Sequence, residues 1–118
     1  MPEPIPTTLA MLLCDSVIVE AGTGKKTLVG VFDRIYAASV PVTYAAGFSV
    51  FARLTDAEGR YTFKVDVVFL DEDRIIGSGS TEVVTPQDRL GFVDLVVRLL
   101  MAFENYGKYE FQLHANDI

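Results

Sequence analysis

The sequence predicts an all-β protein, an antiparallel sandwich of about seven to eight strands. The first observation is alternation: in "YTFKVDVVFL", residues 61–70, apolar side chains take every second position, which is the period of a half-buried strand. The second is composition, because β-branched and aromatic residues dominate segments of about ten residues. The third is the position of turn-forming residues, because glycine, proline and acidic residues separate those segments.

Each predicted strand ends at a turn signal. The predicted strands comprise residues 9–20, 26–37, 38–46, 47–56, 61–70, 74–84, 90–103 and 109–115. The turns between them include "AGTGK", "AEGR", "DED", "TPQDR" and "ENYGK". Glycine adopts backbone conformations that other residues avoid, and proline and acidic residues favour turns. The glycines within residues 74–84 predict a bulge in that strand.

Residues 88–103 allow two interpretations. Asp94 and Arg98 lie four residues apart and would pair on one exposed side of a helix. The same two residues share one face of a strand, with Val93 and Leu95 on the opposite face. Valines and an interior glycine favour the strand, since both residue types are poor in helices.

The stretch "EAGTGKK", residues 20–26, has the composition of a phosphate-binding loop. That loop requires G-x-x-x-x-G-K-[ST] followed by a helix, whose amide groups face the phosphate. Here Val19 replaces the first glycine, Lys26 replaces the serine or threonine, and a β-branched segment follows. The sequence therefore predicts a hairpin turn, in which Gly22 and Gly24 adopt positive φ.

The chain of 118 residues is predicted to form one domain, 1–118, with residues 1–7 as a short extended tail. Half of its residues (50%) are hydrophobic and the mean hydropathy is +0.31. In "KTLVGVF" the apolar residues occupy both strand faces, Val29 and Val31 on one and Leu28 on the other. Because a sandwich buries only one face of each sheet, this surplus predicts a homo-oligomer or a protein partner.

Charge and cysteine content exclude several partners and compartments. The net charge of −6 is opposite to the basic face that nucleic acids and anionic membranes require. Cys14 is the single cysteine, so no internal disulfide forms and no oxidising compartment is needed. The first residues, "MPEPIP", lack the basic region of a signal peptide, and no stretch of about 20 apolar residues occurs. We expect a cytoplasmic protein that binds neither nucleic acid nor membrane.

Nucleophilic chemistry has few candidates in this chain. Cys14 lies within an apolar strand and is expected to be a small core residue. His114, the single histidine, shares a strand face with Glu110 and Gln112 and is expected to face solvent. The pattern brings Cys14 and His114 nowhere near each other, and one cysteine plus one histidine do not make a zinc site.

Acidic turns provide candidate metal ligands. Asp71 and Asp73 lie in the "DED" turn, and Glu104 begins the "ENYGK" turn. Consecutive turns of an antiparallel run alternate between the two ends of the sheet, so these two turns share an end, whereas Asp56 lies about 33 Å away. Carboxylate oxygens are the ligands that calcium prefers. Asp71, Asp73 and Glu104 are therefore candidate calcium ligands, and the alternative is a solvated acidic turn.

Aromatic residues gather in turns at one end of the predicted sandwich. Tyr44, Phe103 and Tyr106 either form a binding surface or close that end of the interior. Gly107 precedes Tyr109 by two residues at the start of the last strand. This arrangement is typical of the tyrosine corner of immunoglobulin-like sandwiches, whose hydroxyl bonds back to the backbone. We therefore expect an immunoglobulin-like sandwich.

The stretches "LLCDSVIVEAGTGKKTLVGVFDRIYA", "ARLTDAEGRYTFKVDVV" and "GKYEFQLHAND" occur in this order. In this the chain resembles a family of small uncharacterised bacterial proteins, from about residue 9 to residue 117. The resemblance implies a β-sandwich of immunoglobulin-like or calcium-module-like appearance, and it implies no activity or catalytic residue. The closing hairpin of that family is usually richer in proline than "AFENYGK" is here.

These observations predict a non-catalytic binding or structural module that self-associates or binds a partner, without a cofactor. The alternative is a ligand-binding sandwich that takes a carbohydrate, a peptide or calcium at the end that carries Asp71, Asp73 and Glu104. A carboxylate hydrolase is the third hypothesis, with Asp33, Asp66, Asp71 and Glu104 as its acids. It requires two of these acids to face each other in a cleft, with separated pKa values.

Overall fold

The computed structural model describes residues 4–43, 47–86 and 88–116, and these residues form nine strands in antiparallel sheets without a helix. The strands are β1 (Thr7–Val19), β2 (Lys26–Phe32), β3 (Val42–Thr43), β4 (Phe48–Thr55), β5 (Phe63–Phe69), β6 (Arg74–Ser80), β7 (Val93–Leu99), β8 (Ala102–Phe103) and β9 (Tyr109–Ala115). The prediction of an all-β antiparallel fold is confirmed. Across these described residues, nothing forms a helix with the length and apolarity that a membrane span needs.

The strands pair in three sheets. Their hydrogen-bonded orders are β2-β1-β4-β7 in a four-stranded sheet, β6-β5-β9 in a three-stranded sheet and β3-β8 in a short two-stranded sheet. The predicted strand 90–103 is thus divided into β7, at the edge of the four-stranded sheet, and β8. The strand interpretation of this segment is confirmed, and Leu95, Val97 and Leu99 point inward as its alternation requires.

Strand β4 shows why the four-stranded sheet buries one face. Its residues Phe48, Val50 and Leu54 are at most 1% exposed. Val50 lies opposite Leu13 of β1 and opposite Val97 of β7, so three neighbouring apolar side chains form one inward row. The even-numbered residues of β4 therefore face the interior, because every second residue of a strand lies on the same face. This is the alternation that the sequence predicts for residues 47–56.

Strand β5 has the same role in the three-stranded sheet. Val65 and Val67 are fully buried and point inward, opposite Leu113 and Phe111 of β9. The alternation predicted for residues 61–70 is confirmed. In β6, the predicted bulge corresponds to a register shift opposite the Val67–Val68 step of β5.

The inward faces of the two larger sheets meet in two clusters of buried side chains. One contains Phe48, Val50, Val65, Val67, Val97, Leu99 and Phe103, and the other contains Ala52, Leu54, Ala57, Tyr61, Phe63 and Leu95. Phe48 lies at the contact of the layers, and its ring meets Phe32 and Phe111 edge-on with centroids 5.9 Å apart in each case. Burying a side chain of this size stabilises the fold by about 1.5–3 kcal/mol.

The β1–β2 hairpin does not stay in the plane of its sheet. Lys26 pairs with Val19, whereas Asp94 pairs with Arg53, which in turn pairs with Ala10 of β1. In a flat sheet the nine steps from Ala10 to Val19 would span about 30 Å. Yet the Lys26 Nζ and Asp94 Oδ2 atoms are 3.1 Å apart. The distal half of the hairpin, residues 15–30, therefore folds back over the outer face of the four-stranded sheet; we call it the hairpin arm.

The burial of outer-face residues agrees with this fold-back. Cys14, Ser49 and Phe51 have the outward parity of their strands, yet they are 0%, 2% and 5% exposed. The bend lies near Asp15, whose carboxylate occupies the space that a side chain at Gly30 would need. Gly30 also has a φ of +68°, a conformation that favours glycine. The hairpin arm thus covers part of a face that a simple sandwich would leave exposed.

A buried acid fixes the hairpin arm in place. Asp94 accepts two hydrogen bonds from the Arg53 guanidinium, at 2.7 and 3.0 Å, and it also pairs with Lys26. Its side chain is only 9% exposed. The Arg53 hydrogen bond lowers the pKa of Asp94, against the opposing effect of burial, and the Lys26 contact adds to the lowering. The ion cluster therefore joins the arm to both β4 and β7.

The glycine–lysine stretch forms the tip of the hairpin arm. The Glu20 amide donates to the Lys25 carbonyl at 2.8 Å, and the Gly24 amide donates to the Glu20 carbonyl at 2.9 Å. Strand β2 follows directly, so the turn leads into a strand and not into a phosphate-binding helix. The predicted hairpin turn is confirmed, but only Gly24 has the predicted positive φ, +71°, and Gly22 does not.

Candidate functional site

The interior opens to solvent on one side, between the β2 edge of the four-stranded sheet and the β9 edge of the three-stranded sheet. The opening is a cleft of about 640 Å³. Its lining comprises Leu13, Phe32, Asp33, Arg34, Ile35, Tyr36, Ala37, Val40, Val42, Leu70, Phe103, Asn105, Tyr106, Gly107, Lys108, Tyr109 and Phe111. Sites for small ligands typically have about 300–1,000 Å³ and a mostly apolar lining with few polar groups, so this cleft has the size and chemistry of such a site.

Aromatic rings form the base of the cleft. Phe103 and Tyr109 meet edge-on with their ring centroids 5.0 Å apart, and Tyr109 lies 5.1 Å from Phe69. Phe32 and Phe111 approach from the two facing sheets, and both contact Phe48 behind them. Because these rings pack against one another and against the core, they present a preformed apolar surface to the cleft.

Two exposed tyrosines form the rim. Tyr36 is 86% exposed and Tyr106 is 61% exposed. The Tyr106 hydroxyl donates to the Ala37 carbonyl at 3.1 Å and thereby bridges the segment after β2 to the loop before β9. Rings in this position combine a large apolar area with a polar tip, a combination enriched at binding surfaces.

A tyrosine corner holds the loop before β9. The Tyr109 hydroxyl donates to the Asn105 carbonyl at 2.5 Å, which confirms the predicted bond back to the backbone. Gly107 has a φ of +151°, and a side chain there would come within 2.8 Å of the Phe69 ring. Burial raises the pKa of the Tyr109 hydroxyl, against the opposing effect of its bond to Asn105. The loop that carries Tyr106 is therefore fixed at its base.

The predicted aromatic residues have different roles in the structure. Tyr106 lines the cleft from a loop, as predicted. Phe103 also lines it, but it belongs to β8 and is 7% exposed, so it helps to close the interior, as the alternative interpretation expects, and does not lie in a turn. Its pairing with Val42 of β3 places it there. Tyr44 lies outside the described residues.

The acidic residues predicted as calcium ligands lie at the same end of the molecule. The Asp71 carboxylate lies against Gly107, and the Leu70 amide donates to the Lys108 carbonyl at 3.0 Å, so the two turns meet as the strand parity predicts. Glu104 lines a separate recess of about 180 Å³ and Asp73 lies in the exposed turn. Among the described residues, no group of three or more histidine, cysteine, aspartate or glutamate side chains has the arrangement to hold an ion.

The candidate nucleophile and base lie on opposite outer faces. Cys14 belongs to the four-stranded sheet, where its thiol contacts the Ser49 carbonyl at 3.8 Å. Burial, and the nearby Asp15 carboxylate, raise the pKa of the Cys14 thiol, which makes the reactive thiolate scarce. His114 belongs to β9 of the other sheet. The expectation that Cys14 is a small core residue is confirmed.

His114 lies on the outer face of the three-stranded sheet, as its parity with Gln112 predicts, but it is only partly exposed. Its Nε2 atom lies 3.3 Å from the Asp66 carboxylate, and Lys64 lies 3.6 Å from the same group. Asp66 also accepts a hydrogen bond from the Ser78 hydroxyl at 2.6 Å. In a catalytic triad the serine bonds to the histidine, whereas here the carboxylate lies between them. This cluster therefore has the form of a structural polar network.

The four acids of the hydrolase hypothesis are distributed over separate regions. Asp33 lies at the cleft and Asp66 on the outer face of the three-stranded sheet. Asp71 lies in a turn against Gly107, and Glu104 lines the smaller recess. The buried contacts of Asp66 are with Ser78, a lysine and a histidine, so it has no acid partner there.

Sequence reasoning missed the segment between β2 and β3 as a wall of the cleft. The predicted strand 26–37 includes Ile35 and Tyr36, yet β2 ends at Phe32 and the following residues leave the sheet. The sequence "FDRIYAASVP" contains the relevant signal, because charged residues and a proline interrupt the apolar pattern there.

The fold and the cleft define a small antiparallel β-sandwich with an aromatic cleft between its sheets. Comparison with protein families shows that the chain belongs to a family of unknown function (DUF6941), which matches residues 9–118. The predicted resemblance to a small uncharacterised family is confirmed. No curated protein and no solved structure gives a significant match to the chain.

Proposed function

We propose that this protein is a non-catalytic binding module that takes a small aromatic or aliphatic group into the cleft between its sheets. The observation that carries the proposal is the cleft itself, about 640 Å³ with an aromatic base and two exposed tyrosines at its rim. Leaving rings such as Tyr36 and Tyr106 in water is unfavourable, and a ligand that covers them gains the free energy of that burial.

The lining favours an apolar group with a polar end. Phe32, Ile35 and Phe111 supply the apolar surface, while Arg34 and Lys108 are exposed lining residues that carry positive charge. A ligand with an aromatic or aliphatic body and an anionic end would match both. The sugar alternative is less well matched, because a sugar requires more hydrogen-bonding side chains than the base of this cleft offers.

A non-catalytic role agrees with the distribution of reactive groups in the described residues. The thiol of Cys14 and the imidazole of His114 lie on opposite outer faces, and the acids are separated. With Cys14 as its single cysteine the chain forms no internal disulfide and needs no oxidising compartment, which supports a cytoplasmic location in this proposal.

The proposal is tested with indole, phenol and hexanoate as probes in two-dimensional NMR of the 15N-labelled full chain. We expect the amide signals of Ile35, Tyr106 and Lys108 to shift with at least one probe, saturating at millimolar concentration. If none of the probes shifts these signals, the cleft is not a binding site for small apolar groups.

A matched pair of variants separates cleft binding from surface adsorption. Ala37→Phe places a ring in the cleft lining and is expected to abolish the shifts. Ala38→Phe adds the same ring one residue later, at an exposed position outside the lining, and is expected to leave them unchanged. Equal loss in both variants, or persistence in both, would contradict the proposal.

A further inference from the structure

Strand β2 is an edge strand with an exposed apolar face. It pairs with β1 on one side, and among the described residues no strand pairs with its other side. Thr27, Val29 and Val31 alternate along β2, and Lys25 and Asp33 lie directly before and after this strand; all five are exposed, Val29 by 41% and Val31 by 55%. An edge of this kind is a template for another strand, and natural proteins usually protect it.

The exposed residues complement themselves when the strand is reversed. In an antiparallel pair centred on Val29, this residue faces the partner's Val29. Thr27 then faces the partner's Val31, and Lys25 faces the partner's Asp33. Thr27 and Val29 have equal parity and share a face, and Val31 is exposed on the other side of the bend at Gly30. Directly opposed β-branched residues and opposite charges each stabilise a strand pair.

We propose that two copies of this chain associate through antiparallel pairing of their β2 strands, with Val29 on the two-fold axis. The two four-stranded sheets would then continue into one another through backbone hydrogen bonds between the two β2 strands. The interface is self-complementary, as a two-fold dimer requires. Although Asp33 also lines the cleft, the pairing needs no ligand there, so the proposed function could fail while the dimer persists.

The charges beside β2 favour a second copy of this chain as the partner, and they favour the antiparallel orientation of its strand. In parallel pairing Lys25 would face the partner's Lys25 and Asp33 the partner's Asp33, and like charges opposite each other destabilise a pair. Antiparallel pairing centred on Val29 instead forms a Lys25–Asp33 pair twice. Although the whole chain has a net charge of −6, which opposes association, this exposed face carries one lysine and one aspartate.

The oligomeric state of the full chain is the first measurement, by sedimentation equilibrium at micromolar concentration. We expect a dimer, and we expect Val29→Lys to convert it to a monomer because two lysines would then meet on the axis. Val83→Lys changes an equally exposed valine away from the edge and should leave the dimer intact. A monomeric wild type, or a dimer that Val29→Lys does not weaken at least tenfold, would overturn the proposal.

Charge exchange tests the pairing without disturbing the core. Lys25→Asp alone and Asp33→Lys alone should each weaken the dimer, because each places like charges opposite each other. The double variant restores opposite charges at both positions and should recover the wild-type dissociation constant. Failure to recover it would exclude this register even if a dimer exists.

Disulfide trapping then tests whether the two-fold axis passes through Val29. Val29→Cys should form an intermolecular disulfide under mild oxidation, since its Cβ atom would lie about 4.5–5.5 Å from the partner's. Val31→Cys faces the partner's Thr27 and should not crosslink. Equal crosslinking of both variants, or none at Val29→Cys, would place the interface elsewhere. The variant Ala37→Phe, which fills the cleft, should dimerise normally.

Discussion

The interior ends differently on its two sides: around Tyr61 it is closed, whereas around Tyr109 it opens into the cleft. Tyr61 is 2% exposed, stacks on Phe63 with centroids 5.4 Å apart and pairs through its backbone with Val84. Tyr109 is only half-buried and forms part of the cleft lining. Both sides use aromatic rings, so aromatic content does not explain the difference.

The two sides differ in the backbone carbonyl to which each tyrosine hydroxyl donates its hydrogen bond. Besides local bonds with the Glu58 backbone, the Tyr61 hydroxyl donates to the Pro4 carbonyl at 2.6 Å, across 57 residues of sequence. It thereby draws the start of the chain, within the tail predicted for residues 1–7, over the end of the sandwich, and β1 begins at Thr7. The Tyr109 hydroxyl holds the Asn105 carbonyl only four residues away. A long-range bond closes one side, whereas a local bond shapes a loop and leaves the other side open.

The largest effect is expected at the closed side. Tyr61→Ala removes a fully buried ring, its stacking on Phe63 and its hydroxyl bond to Pro4, and should lower the free energy of unfolding by about 3–5 kcal/mol. Urea unfolding monitored by circular dichroism measures this loss. Tyr106→Ala at the open rim serves as the comparison and should cost less than about 1 kcal/mol, because that ring is 61% exposed. Equal losses would mean that the open side is closed in solution.

The second effect tests the base of the loop before β9. Gly107→Ala introduces a Cβ atom within 2.8 Å of the Phe69 ring, at a φ of +151°. We expect a loss of about 1–3 kcal/mol in the free energy of unfolding. Gly22→Ala is the matched control, because nothing lies within 4 Å of its added Cβ atom. If Gly107→Ala is as stable as Gly22→Ala, the corner does not constrain the loop.

Some of these features were predictable from the sequence and others were not. The inward faces of β4 and β5 were predictable, because burial of one face imposes a period of two on residues such as Val50 and Val65. The fold-back of the hairpin arm was not, since the alternation of Leu28 and Val29 continues through the bend. The pair Lys26–Asp94 joins residues 68 positions apart, and no local pattern records such a contact.

In the cleft, too, only the features with a local cause were predictable from the sequence. Tyr106 and the corner at Tyr109 were predictable, because glycine and tyrosine at a fixed spacing have a local geometric cause. The opening itself depends on the separation of the β2 and β9 edges, which is a property of the layers and not of either strand. The separation of Phe103 from β7 into a strand of its own was not predictable, because a two-residue strand is too short to show alternation.

The third effect concerns the covered outer face. Asp94→Asn removes the charge that Arg53 and Lys26 contact and should cost about 1–2 kcal/mol, with faster hydrogen exchange in the hairpin arm. Because the folded-state pKa of Asp94 is lowered, its contribution is complete above the unfolded value of about 3.9 and is lost as the pH falls through the folded value.

The free energies of unfolding of wild type and Asp94→Asn should therefore converge as the pH falls below about 4. Glu82→Gln changes an exposed carboxyl and serves as the control. A difference between wild type and Asp94→Asn that stays constant down to the acid limit would show that the asparagine acts through packing and not through lost charge.

The smallest effect is expected for the bridge across the rim. Tyr106→Phe removes only the hydroxyl that donates to the Ala37 carbonyl at 3.1 Å, at an exposed site. Water replaces an exposed hydrogen bond at little cost, so the free energy of unfolding should change by less than about 0.5 kcal/mol. The ring remains, so binding of an apolar probe in the cleft should persist. Faster hydrogen exchange near residues 104–108, with unchanged exchange around Tyr61, would show that the hydroxyl restrains the open side alone, whereas a loss above about 1.5 kcal/mol would mean that this bridge closes the core.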